Sequence, residues 1–311
     1  MLMRISLLLL LISFSNTLTS QSAKYVYRNL QDSTHNAYLL ITPDKTKIRG
    51  VIIRDYTRLP DTAKKSRYKW SGFALQKGFA ILYTTTAKHF PGLCYTDSST
   101  QLLDEIINEA IIENNLPRNN LFIGGLSASG TRALCFTQYC EQGKSKFGIK
   151  IRGVFSVDSP LDLERFCYSA KINKRNFKDG MLWEANLMNK VFPDRLGPIE
   201  TNTENYRQNS VFSYKDSLGG NAKYLLNVPT LFFHEPDVDW WIKERGAAYY
   251  DINSFDIAGL VNWLTVNGGT KVEQVITTNK GFDRQGNRKC HSWTIVDEEY
   301  LINWIVQLSE D

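Results

Sequence analysis

Apolar residues recur along this chain in two rhythms. Short runs of four to six, bounded by polar turns, read as strands; longer stretches with apolar positions three and four apart read as helices. "KYVYRNL" and "NAYLLITP" predict two strands around the polar turn "QDSTH", and "RGVIIRDY" a third, rich in β-branched residues. A polar helix is predicted from about Ala63 to Lys77, with Trp70, Phe73 and Ala74 on one face and Gly78 ending it. "FAILYTT" is the next strand. In "SSTQLLDEIINEAIIENN", Ser98 or Ser99 can cap a helix whose buried stripe is Leu102, Ile106, Ile107 and Ala110. "NLFIGG" then leads as a strand into the helical "TRALCFTQYC", and "IRGVFSVD" follows as another strand.

Strand–helix alternation at this spacing predicts an α/β fold with a mostly parallel central sheet flanked by helices; the first two strands would make an antiparallel edge. The alternation stops between Ser159 and Asn227, where the chain is helix-prone and aromatic and is broken by "FPDRLGPIETNTENY". That stretch is too long for a loop and too small for an independent domain, so an inserted helical cap is predicted over 159–227. The strand pattern resumes with "VPTLFFHEPDVD". "SFDIAGLVNWLTVNGG" predicts a helix, "KVEQVITTN" a strand, "GFDRQGNRKCHSW" a loop and "DEEYLINWIVQL" a last helix. The organisation is thus a leader over 1–20, a core over 21–158 and 228–311, and the cap between them.

Composition changes this picture in three places. The 42% hydrophobic content of 311 residues is enough for one large core. The net charge of +5 comes from scattered residues such as Lys64, Lys65, Arg67 and Lys69, which form no dense basic stripe, so nucleic acid is not an expected partner. The N-terminus, "MLMRISLLLLLISFSNTLTSQS", has one cation, Arg4, an apolar run of about ten residues and then small polar ones. This is the layout of a secretory signal peptide, with cleavage near Ser20 or Ser22. The run falls short of the roughly 20 residues that span a bilayer. A secreted or periplasmic, soluble mature protein is expected, with no membrane span. Of the five cysteines (Cys94, Cys135, Cys140, Cys167 and Cys290), at least one is left unpaired by the odd count, and Cys135 and Cys140 point to different helix faces. No CxxC or CxxH spacing suggests zinc; neither metal nor cofactor is expected.

The chemistry is carried by the corner Gly125-Leu126-Ser127-Ala128-Ser129, between a strand and a helix. It resembles the nucleophile elbow, G-x-S-x-G, of the α/β-hydrolase superfamily. Such a corner lifts a hydroxyl above the sheet and requires small residues two before and two after. Gly125 meets this; Ser129 replaces the usual glycine, and Gly130 follows. Ser129 is a rival nucleophile, but the β-branched Thr131 would crowd a corner centred there.

A serine needs a base and an orienting acid, which the superfamily supplies in the order Ser, acid, His. Among His35, His89, His234 and His291, the last lies in the loop before the final helix, where the resemblance puts the base. "LFFHEPDVDWW" is similar to the family's strand followed by HGxxD, which makes Asp237 the acid, with Asp239 and Asp158 as alternatives. His234, in the glycine position, is expected to pack near the site and not to bind metal. The resemblance implies an oxyanion hole built from the backbone N–H of Ala128 and from the "IIRDYTRLP" loop, where Tyr56 is the candidate. Asp55 would oppose an oxyanion there unless turned away or neutralised by Arg54 or Arg58.

The resemblance covers about Val26 to Leu308 apart from the cap. Aromatic residues of the cap (Phe166, Tyr168, Trp183, Phe192, Tyr206, Phe212 and Tyr214) either fill its interface with the core or line a substrate pocket; Trp240 and Trp241 are the expected pocket members. The implied activity is that of an exported serine hydrolase acting on carboxylic esters of small molecules, through Ser127, Asp237 and His291. A serine peptidase or aminoacyl hydrolase of the same fold is the alternative, as is a hydrolase-fold binding protein without turnover, for which the "RDYT" loop is the argument.

Overall fold

The computed structural model of the chain describes residues 21–29, 31–32, 34–43, 47–62, 68–87, 92, 97–269 and 271–310. The leader predicted over 1–20 and most of the helix predicted before Trp70 lie outside these residues. Eight strands form one sheet: β1 (Gln21–Tyr27), β2 (Ala37–Pro43), β3 (Gly50–Tyr56), β4 (Phe79–Thr85), β5 (Leu121–Leu126), β6 (Gly153–Val157), β7 (Thr230–His234) and β8 (Val272–Ile276). Their order across the sheet is β1-β2-β4-β3-β5-β6-β7-β8. Only the β1–β2 and β2–β4 pairings are antiparallel; all the others are parallel.

Side chains on successive strand residues point to opposite faces, and here both faces are covered, which is why the central strands read as unbroken apolar runs. Val51, Ile53, Leu121, Ile123, Val154 and Phe232 pack on one side. Ile52, Phe122, Phe155, Leu231 and Phe233 pack on the other. The first side is covered by α2 (Asp97–Glu113), α3 (Ala128–Glu141) and α8 (Asn253–Val266), the second by α1 (Trp70–Gln76) and α9 (Glu298–Glu310). In α2, Ile106, Ile107 and Ala110 are buried as their spacing predicts, and Leu103 joins them, while Leu102 is only partly covered.

Between β6 and β7 the described regular structure is helical: α4 (Leu163–Ile172), α5 (Asp179–Leu196) and α6 (Thr203–Gln208), with two short 3-10 segments. These helices make a third apolar cluster, containing Phe166, Phe177, Met188, Phe192 and Tyr206, which also takes in Ala128 at the start of α3. After β7 comes a single turn, α7 (Val238–Trp240), that runs on as a π-helical turn over Trp241–Arg245.

Candidate active site

β5 ends at Leu126 and α3 begins at Ala128, so Ser127 is the whole connection. Its backbone is left-handed, φ 57° and ψ −131°, a conformation that non-glycine residues rarely take and that persists only when the surroundings enforce it. Hydrogen bonds enforce it here. The Ser127 N–H donates to the Val157 carbonyl at 2.8 Å, and the Ser127 carbonyl accepts from the N–H of Gly130 at 2.9 Å and of Thr131 at 3.1 Å. A Cβ on Gly125 would overlap the Ser129 side chain, and one on Gly130 would overlap the Ser159 hydroxyl, so both positions need glycine for space. Ser129, the rival, is buried and its hydroxyl donates to the Asp55 carbonyl at 2.6 Å. Ser127 lines a cavity of about 800 Å³ that also meets His291; Ser129 borders the same cavity, but its hydroxyl is taken by the Asp55 carbonyl.

The carboxylate that meets His291 is Asp158, the alternative, and not Asp237. His291 Nδ1 lies 2.6 Å from Asp158 Oδ2, directly after β6. Asp158 is itself left-handed, at φ 43°. Its N–H donates to the Phe233 carbonyl at 2.8 Å, and its carbonyl accepts from Asn253 Nδ2 at 2.9 Å. Asp237 is engaged elsewhere: its carboxylate caps the Trp240 N–H at 3.1 Å and accepts from Arg288 Nε at 3.1 Å and a terminal guanidinium nitrogen at 2.9 Å. That double commitment turns it away from His291. Asp239 is exposed in the first turn after it, and neither residue lines the cavity. Burial alone would lower the His291 pKa, but the Asp158 carboxylate, its hydrogen bond and the charge of Glu184 together outweigh burial and hold the imidazole above its usual value.

The oxyanion region has its own logic. Asp55 is fully buried, yet neither Arg54 nor Arg58 neutralises it. Arg132, from α3, reaches back and donates from Nε at 2.8 Å, while Thr84 and Thr86 donate their hydroxyls at 2.8 and 2.7 Å. The carboxylate that would oppose an oxyanion is therefore saturated and faces the α3 side of the sheet. Ala128 is the first residue of α3, where N–H groups have no intrahelical acceptor. Tyr56 closes β3 and lines the cavity.

Trp240 and Trp241 line the cavity edge-to-face, with centroids 5.1 Å apart, and the Arg245 guanidinium lies over Trp240. Of the seven aromatic residues singled out between Ser159 and Asn227, Phe166 and Trp183 reach this cavity; Phe192, Tyr206 and Phe212 are buried in apolar clusters. His234 packs, as expected: it is buried, with Nε2 2.7 Å from the Gln274 amide, and burial lowers its pKa. Among the wall residues that the sequence pattern does not place here are Tyr83 and Glu184, and it offers Arg54 only as a counter-charge to Asp55. Glu184 carries a pKa raised first by burial, which the nearby His291 partly offsets.

A mostly parallel sheet with two antiparallel edge pairings, a strained serine corner after β5 and an imidazole at the same edge define the α/β-hydrolase fold. Solved structures agree on that fold. A fungal esterase from Rhizomucor miehei superposes with a TM-score of 0.53 at 14% identity, over 94% of this chain and 83% of that one. Esterase B from Lactobacillus rhamnosis gives 0.58 at 9% identity, over 93% and 88%. The acylaminoacyl peptidase of Pyrococcus horikoshii gives 0.51 at 14% identity; 94% of this chain covers only 41% of that larger one. No family model matches the chain, and no curated protein matches it in sequence. Among the described residues no helix is long and apolar enough to cross a membrane.

Proposed function

We propose that this chain is an exported serine hydrolase that cleaves carboxylic esters through an acyl-enzyme on Ser127, with His291 as base and Asp158 as the acid that orients it. The 2.6 Å contact between Asp158 Oδ2 and His291 Nδ1 carries the reading, on a cavity shared with a serine at φ 57°. Nδ1–H donates to the carboxylate, which leaves Nε2 unprotonated to accept the Ser127 proton. Ser127 Oγ adds to the ester carbonyl, and the developing oxyanion meets the N–H groups of Ala128 and Tyr56. The imidazolium returns its proton to the departing alkoxide as the tetrahedral carbon collapses to the acyl-enzyme. A water, deprotonated by His291, then attacks the acyl carbon and releases the acid, and Ser127 regains its proton.

A fluorophosphonate probe tests the reading: it should label Ser127 stoichiometrically, and His291→Ala should abolish labelling. A folded wild-type chain that stays unlabelled would instead be a binding protein. The likeness to acylaminoacyl peptidase favours a second reading, an aminoacyl or peptide hydrolase with the same residues. Turnover of p-nitrophenyl esters against aminoacyl anilides separates the two. Export rests on the N-terminal pattern, and sequencing the N-terminus of the mature protein from the periplasm or medium tests it.

A further inference from the structure

Among the described residues, Arg132 and Arg165 are buried, and each meets a carboxylate. Arg132 pairs with Asp55 and Arg165 with Asp256. Arg54, third from the end of β3, does not. Its neighbours are aromatic faces: the guanidinium carbon lies 4.3 Å from the Trp293 ring centroid, 5.2 Å from that of Trp70 and 5.9 Å from that of Phe155. Among the described residues it makes no hydrogen bond or ion pair, and its Nε is buried without an acceptor. Burial pushes its pKa down to about 10, and the groups that oppose this are the phenols of Tyr83 and Tyr68, not a carboxylate. At neutral pH it is still a cation.

Ring faces compensate part of the lost hydration of such a cation, but they leave its in-plane N–H donors unsatisfied. A half-buried cation with one donor unanswered is a ready partner for an anion that reaches it. Arg54 borders the cavity that holds Ser127 and His291, and Tyr68 and Tyr83 border it too. The other ionised groups of the wall do not serve it. Asp251 accepts from Ser169, Asn173 and the Ala248 N–H. Glu184 interacts with His291, Asp158 and Arg165.

We propose that Arg54, with the phenol of Tyr83 beside it, is a subsite for a carboxylate carried by the substrate itself, so that the scissile ester or amide belongs to a molecule bearing a second, ionised carboxyl group. The planar fork of a guanidinium matches a carboxylate with two parallel hydrogen bonds, and stacking on Trp293 holds that plane fixed before the ligand arrives. A single desolvated cation suits a singly charged anion. This inference rests on the cavity being the reactive one, as proposed above, but its test does not require turnover.

The experiment uses the full-length mature chain as Ser127→Ala and measures binding of 3-phenylpropionate and its neutral counterpart 3-phenylpropanamide by calorimetry. The acid should bind roughly tenfold or more tightly than the amide, the range expected of a hydrogen bond to a charged group. Arg54→Met should erase that preference, and Arg54→Lys should recover only part of it. Equal binding of acid and amide, or a preference that survives Arg54→Met, overturns the proposal. If Arg54→Met does not fold, the acid–amide ratio on the Ser127→Ala chain decides alone. Wild-type turnover of mono-p-nitrophenyl glutarate against p-nitrophenyl acetate then separates the two readings. Inert esters beside an Arg54-dependent acid preference would reject the hydrolase and keep the subsite; hydrolysis without preference for the anionic ester would reject the subsite and keep the hydrolase.

Discussion

Asp158→Asn is the substitution that bears most directly on the proposed chemistry. Asparagine is nearly isosteric and tolerates the left-handed backbone that Asp158 adopts at φ 43°, so the variant should fold. What changes is the partner of His291 Nδ1, 2.6 Å away. An amide can donate to Nδ1, which would fix the tautomer with the proton on Nε2, facing Ser127 where a lone pair is needed. The anion that stabilises the imidazolium is lost as well. Together these should lower kcat by about 10³–10⁴-fold, or ~4–5 kcal/mol of activation free energy. The pH profile should move too. Burial lowers the His291 pKa, and the Asp158 carboxylate is the foremost of the groups that reverse this. Without it the acid limb of kcat/KM should shift to lower pH. In the wild type the raised value implies a stability contribution that is full below about pH 6.5 and is lost as pH rises through the folded-state pKa. The control is Asp237→Asn, which removes a helix cap and weakens an arginine contact that Glu235 still shares, so it should cost stability and lower kcat far less than Asp158→Asn does. Steady-state kinetics with p-nitrophenyl acetate, with melting curves to verify folding, measure both. If Asp237→Asn abolished turnover and Asp158→Asn did not, the assignment of the acid from geometry would be wrong.

Three further outcomes follow from the same contacts. Glu184→Gln removes an anion that raises the His291 pKa, so the acid limb of kcat/KM should move to lower pH, by less than in Asp158→Asn; a shift upward would contradict the electrostatics. Arg132→Met leaves the Asp55 carboxylate buried without its cation and should destabilise by about 3–5 kcal/mol in urea unfolding, with Asp55→Asn in the same chain restoring part of the loss. Ser129→Ala deletes a buried hydrogen bond to the Asp55 carbonyl and should cost about 1–3 kcal/mol, yet fluorophosphonate should still label Ser127, because the Ser129 hydroxyl is committed to that carbonyl.

The sheet was legible because its information is local. Strands buried on both faces must be apolar throughout, and "GVIIRDY", "FAILYTT" and "LFIGGL" say so without reference to any partner. The serine corner was legible for a related reason: steric crowding at Gly125 and Gly130 acts on residues within a few positions of Ser127, so the demand is written in adjacent letters. The boundary of α1 was not, because a polar surface stretch with apolar residues at Trp70, Phe73 and Ala74 carries the same periodicity whether its helix starts at 63 or at 70; the described helix is Trp70–Gln76.

The acid, by contrast, is a property of three elements at once. Asp158 and Asp237 both follow a core strand at the same edge of the sheet, and position along the chain cannot rank them. The ranking depends on Arg288, in the loop after β8, which donates to Glu235, Asp237 and the Gly281 carbonyl together and so commits the carboxyl group after β7 to holding the His291 loop. Glu235 completes that tie, accepting from the Thr277 hydroxyl at 2.8 Å and from the Lys280 N–H at 3.1 Å. The Asp237 carboxylate accepts from Arg288 and the Trp240 N–H, and the Asp158 carboxylate meets His291, so in this chain the two tasks fall on different strands: the end of β7 anchors the loop, and the end of β6 faces the ring it carries. If that division is right, Arg288→Met should loosen the loop, lowering kcat and the melting temperature together, while Asp158→Asn lowers kcat with the melting temperature nearly kept. Equal thermal losses in both would mean that Asp158 serves the loop as Asp237 does, and the separation of anchor from acid would fail.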